Sequence, residues 1–164
     1  MKIAFLKSRA LCVGLGLAIL VAHTAFAQSP VSLKSTVETE RMVKQADGQM
    51  LAKRSPVKSA VPGEEVIYTN TFSNISTKPA GDLVLTNPIA KDLRLKKAWG
   101  EGATITYSVD AGKTYATPEQ LKVTGKDGQP RAANVDDYTH VRWVMQGSLA
   151  AGASAAVGFN AVVR

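Results

Sequence analysis

An all-β fold is predicted by three observations. After residue 27 the chain breaks into short extended segments, with Gly, Pro, Asn or Asp clusters about every eight to twelve residues. No stretch sustains the 3.6-residue apolar period of a helix. The composition, 45% hydrophobic and 20% charged, is that of a chain able to bury a core. Together these predict an antiparallel β-sandwich of about seven to nine strands.

The first 27 residues stand apart. A basic stretch, Met1 to Arg9, precedes an apolar run from Ala10 to Ala22 and then Ala25-Phe26-Ala27. This is the three-part pattern of a cleavable secretory signal, and the run is shorter than the roughly 20 apolar residues a bilayer requires. The expected product is therefore exported, periplasmic or extracellular, with no transmembrane anchor after cleavage. Cys12, the one cysteine, leaves with the signal, so the mature chain has no thiol for disulfides, thiolate metal sites or cysteine nucleophiles. The formal charge falls from +7 to +4, because Lys2, Lys7 and Arg9 go while all 13 acidic residues stay.

The elements follow in order. Residues 32–43 and 49–53 flank Asp47-Gly48, a dipeptide suited to the positive φ angles of a tight turn, and read as a hairpin; residues 38–46 are also compatible with a short helix. Arg54 to Ala60 is polar, contains a proline and reads as a crossing segment. Residues 28–56 thus form an extension expected to pack on a sandwich spanning 57–164. In Glu65 to Phe72, Val66, Tyr68 and Phe72 share one face, which Asn70 interrupts. Residues 82–87 make a strand stopped by Pro88. In 103–109, Ile105, Tyr107 and Val109 face one way and Thr104, Thr106 and Ser108 the other. A short strand around 121–124 precedes a loop carrying Gly125, Asp127, Gly128 and Pro130. Two strands close the chain, with Val141, Trp143 and Met145 aligned in one and Val157, Phe159, Ala161 and Val163 in the other. Tyr68, Phe72, Tyr107, Val141, Trp143 and Phe159 are the expected core.

At several points these residues form familiar pieces. Val61-Pro62-Gly63-Glu64-Glu65-Val66-Ile67-Tyr68, Asn74, Pro79-Ala80, Leu83 to Pro88, Tyr107 to Thr114, Val141-Arg142-Trp143 and Leu149 to Ser154 occur in an order that resembles the bacterial conserved-repeat family called domain of unknown function 11, over roughly residues 57–164. The resemblance implies an immunoglobulin-like sandwich in exported or cell-surface proteins, with no catalytic residues to carry over. Asn87, Ala151 and Asn70 stand where that family commonly has Asp, Pro and an aliphatic residue.

Candidate chemistry is sparse. His140 is the one histidine after residue 27, and its sequence neighbours Asp136 and Asp137 could orient it as a base. Their convergence would favour the alternative reading, a small secreted hydrolase or calcium-dependent carbohydrate-binding domain. Asp110, Asp127, Asp136 and Asp137 supply hard oxygens of the kind calcium prefers, without the alternating spacing of a dedicated loop. One histidine and no thiol leave little from which to build a zinc site, and no cofactor motif is present.

Lys91, Arg94, Lys96 and Lys97 cluster near Trp99. Secretion argues against nucleic acid as the partner. Alternation of Arg94 and Lys96 with Leu93 and Leu95 is the signature of a solvated edge strand, where basic side chains block unwanted pairing. The functional reading is a contact, through this surface or a strand edge, to an anionic envelope component or another protein. The leading expectation is a non-enzymatic binding or structural module of the bacterial envelope.

Overall fold

Val66, Phe72, Val141, Trp143, Val157, Phe159 and Ala161 recur at even spacings within their segments and are all buried, which sets the strands that carry them face to face. A computed structural model describes residues 30–164; the expected signal segment and Cys12 lie outside the described residues. Ten strands follow in order: β1 (Val31–Lys44), β2 (Met50–Pro56), β3 (Glu65–Asn74), β4 (Val84–Pro88), β5 (Leu93–Gly100), β6 (Ala103–Ser108), β7 (Lys122–Thr124), β8 (Pro130–Ala132), β9 (His140–Met145) and β10 (Ser154–Val163). Helix is confined to a single 3-10 turn, Pro118–Gln120, among the described residues.

All pairings are antiparallel. A five-stranded sheet has the order β2-β1-β3-β10-β5, a three-stranded sheet the order β4-β9-β6, and β7 and β8 form a separate ribbon. The architecture is all-β and sandwich-like, with Trp143 and Phe159 among its largest fully buried side chains. Trp143 and Phe159 stack with ring centroids 6.4 Å apart, and Tyr68 extends the stack against Phe159 at 4.5 Å. Tyr107, only partly buried, packs on Tyr138 at 4.6 Å. The indole N–H of Trp143 donates to the carbonyl of Trp99 at 3.0 Å, so the buried polar atom is satisfied where β5 leaves the large sheet.

The hairpin expected on either side of Asp47-Gly48 forms, and the helical alternative for residues 38–46 does not: β1 runs through Lys44 and the chain turns at Gly48, whose φ of 86° is the left-handed region glycine adopts freely. The extension does not merely pack on the sandwich, since Val31 to Thr39 pair with β3 and make β1 an inner strand of the large sheet. Beyond Thr39 the hairpin leaves β3 and projects with Met42, Val43, Met50 and Leu51 exposed. Arg54 to Pro56 belong to β2 and not to a crossing segment.

The tenth strand, β8, replaces part of the loop expected after residue 124. A turn closed by Gly125 and Gln129, with Asp127 Oδ1 accepting from the Gln129 N–H, folds Pro130 to Ala132 back on β7. Pro130 is tolerated because it begins its strand. Ser108 also departs from the half-buried pattern. It is fully buried, and its hydroxyl donates to Asp110 and accepts from the N–H groups of Asp110 and Gly112.

Asn70 lies on the core face of β3, 2% exposed. Its Oδ1 accepts from Ser35 at 2.6 Å, while its Nδ2 has no hydrogen-bond partner among the described residues. A buried unsatisfied amide costs on the order of 1–3 kcal/mol. Asn70→Val is therefore expected to raise the melting temperature, by about 4 °C for each kcal/mol recovered; a fall would show that the lost Ser35 bond outweighs the unpaired Nδ2.

Candidate functional site

The basic cluster is carried by the terminal strand of the large sheet and by the turn before it. Leu93 and Leu95 are buried in the core, and Arg94, Lys96 and Lys97 are exposed, the alternation of an edge strand with one solvated face. Cross-strand pairing sets Arg94 beside Val162, Lys97 beside Asn160 and Trp99 beside Gly158 on the outer face. The register shifts at Asn160/Ala161, which leaves Lys96 as the extra residue of a β-bulge and puts two lysines on the same side. Lys91 lies in the turn before β5 and lines a small cleft with Asp136, Tyr138 and Arg164.

One polar chain ties this face together. Lys96 Nζ donates to Glu65 Oε2 at 2.6 Å, Asn160 Nδ2 donates to Glu65 Oε1 at 2.8 Å, and the Trp99 indole N–H donates to Asn160 Oδ1 at 3.1 Å. The bonds from Lys96 and Asn160 hold the Glu65 carboxyl below the usual carboxylate range. Trp99 is thereby fixed across Gly158, where any Cβ would collide with the Tyr68 carbonyl and with the indole. Ile67, also on this outer face and buried, sits in the row Glu38-Ile67-Asn160-Lys97.

The loop carboxylates each have their own partners. Asp110 accepts from the Thr114 hydroxyl and N–H, the Ser108 hydroxyl and the Lys113 N–H. These bonds, Thr114 first, hold its carboxyl far below the ordinary range and close a loop in which Ala111 takes a φ of 60°. Asp137 is gripped by both terminal nitrogens of Arg131 at 2.7 Å, which lowers its pKa, and Asp136 pairs with Arg164 at 2.9 Å. Asp127 serves the β7–β8 turn. The structure does not bring the four together, and no group of three or more metal-ligating side chains forms among the described residues.

His140 does not meet Asp136 or Asp137. Its Nδ1 lies 3.1 Å from the Thr139 hydroxyl, and its ring abuts Gly112. Arg142, its neighbour on the same face, stacks over Tyr115 with the guanidinium carbon 3.5 Å from the ring centroid. Asp136, Asp137 and His140 thus have the geometry of loop supports, with no base–carboxylate bond.

The Asp110 loop carries a pH prediction. A carboxyl whose pKa is lower in the folded state contributes stability that is complete above its unfolded value, about 3.9, and lost as pH falls toward the folded value. The melting temperature of the protein is therefore expected to drop below about pH 4, and Asp110→Asn to start lower at neutral pH with a flatter acid limb. Parallel curves for the two proteins would show that other carboxyls carry the acid sensitivity.

Comparison with protein-family models, with curated proteins and with solved structures returns no match to this chain.

Proposed function

We propose that the protein is an exported, non-enzymatic, immunoglobulin-like β-sandwich that serves as a binding module of the bacterial envelope and meets anionic envelope polymer through the outer side of β5. The observation that carries this reading is the exposed strip of Arg94, Lys96 and Lys97 on a terminal strand, beside an indole held in place by Asn160 and Glu65. The amino-terminal pattern supports export. A non-catalytic role is supported by the loop carboxylates, whose oxygens are engaged in closing loops and pairing with arginines.

Long-range attraction between a +4 mature chain and an anionic polymer is screened over about 8–10 Å at physiological salt. Sedimentation of the protein with isolated envelopes is therefore expected to weaken as salt rises, and to weaken at low salt when Lys91, Arg94, Lys96 and Lys97 are changed together to Gln. Equal sedimentation in all four conditions would overturn the electrostatic contact and favour addition of a partner strand to a sheet edge, where backbone hydrogen bonds supply the affinity.

A further inference from the structure

The outer face of the large sheet has a composition that the basic strip does not explain. Three of its rows across β1, β3 and β10 read Ser32-Ser73-Ser154, Lys34-Thr71-Ala156 and Thr36-Thr69-Gly158, so hydroxyls dominate in them and β10 adds no bulky side chain to them. Among the described residues, Trp99 is the single large aromatic that register places on this face, opposite Gly158. Beside it lies an open groove of about 490 Å³ lined by Trp99, Glu101, Ser154, Ala155 and Ala156.

We infer that this groove binds a glycan, with the ring of a β-linked, gluco-configured pyranose stacked on Trp99. The inference rests on the reading of the protein as an envelope-binding module and names the chemistry that module recognises. Such a pyranose carries its hydroxyls equatorially and presents a face of axial C–H groups, which matches an indole face in shape and polarity. The indole is pre-organised: its N–H is already committed to Asn160, so stacking needs no rotamer to be ordered on binding. Around the ring, the Ser154 hydroxyl and the exposed Glu101 carboxylate can exchange hydrogen bonds with the outward hydroxyls of a sugar.

A peptide fits this groove less well. Peptide docking on a sheet uses a free strand edge or a deep apolar pocket. The edge of β10 that β5 leaves unpaired is only Ser154 to Ala156, short for an added strand, and the groove offers the methyl group of Ala156 in place of a deep pocket.

The test is a titration of the protein with cellohexaose and with chitohexaose. The chain has two tryptophans, and Trp143 is fully buried, so a saturable change in tryptophan fluorescence reports on Trp99. At least one hexasaccharide is expected to produce it. By calorimetry, Trp99→Ala should weaken binding about tenfold, the upper range for an aromatic contact, and Trp99→Phe should restore part of it. Ala156→Arg fills the groove from an exposed position and should abolish binding with an unchanged melting temperature.

Absence of binding by both sugars, or binding unaffected by Ala156→Arg, overturns the inference. A protein that sediments with envelopes in the salt-dependent manner yet ignores both sugars overturns the groove alone. One that binds a sugar but does not sediment upholds the groove and overturns the envelope reading.

Discussion

Trp143→Ala is expected to destabilise the protein by about 3–5 kcal/mol, the range for truncating a large aromatic in a core. The side chain is fully buried, stacks on Phe159, and is flanked on its own strand by fully buried Val141. Its indole N–H caps the carbonyl of Trp99, so removal leaves both a cavity and an unpaired acceptor at the exit of β5. The melting temperature should fall by about 10–20 °C. Because total stabilities are typically about 5–15 kcal/mol, the variant retains little margin. An unchanged melting temperature would contradict the placement of Trp143 at the centre of the core.

The second large effect is expected at Asn74, the last residue of β3. The side chain is 2% exposed, and its amide donates to the carbonyls of Lys78, Leu149 and Ala150 at 2.8, 2.9 and 3.1 Å. Its Oδ1 accepts from both the N–H and the hydroxyl of Ser76. One side chain therefore fastens the turn after β3 to the turn before β10. Asn74→Ala leaves the three carbonyls without this donor, and a loss of about 2–4 kcal/mol is expected. Asn74→Asp keeps the shape but points a carboxylate at the same carbonyl oxygens, so it should be no more stable than the alanine variant at neutral pH. Equal melting of wild type and Asn74→Asp would show that shape, and not donation, holds the two turns.

The parts of this fold legible in the sequence are those governed by a local period. Val141 and Trp143, and Val157, Phe159 and Ala161, alternate within their own segments, and burial on one face follows from that spacing alone. Leu93 and Leu95 against Arg94 and Lys96 are read the same way, and the structure places them on a terminal strand. What alternation misreads is burial imposed by other segments. Ser108 sits on the nominally polar side of β6, but its hydroxyl and the Asp110 carboxyl close a loop that covers it. Ile67 is buried on the outer face, where period two predicts solvent.

The candidate site was less legible than the core. Trp99 and the four basic residues are visible as a cluster, but the groove depends on register, which brings Trp99 opposite Gly158 across 59 residues of chain and leaves Ala156 and Ser154 beside it. A glycine in an otherwise apolar strand is the signal that marks a close approach, and Gly158 is such a glycine. The adjacent lysines 96 and 97 break strict alternation and signal the bulge that aims both outward. Asn74 reads only as a strand end, because its three carbonyl partners come from segments 4 to 76 residues away.

Site-specific photo-crosslinking in living cells tests the central claim most directly. A photoreactive residue in place of Lys97, on the outer side of β5, is compared with one in place of Lys53, on the opposite terminal strand β2. The account predicts adducts to envelope polymer from position 97 and few from position 53. Equal yields from the two positions, or adducts confined to cytoplasmic proteins, would contradict it.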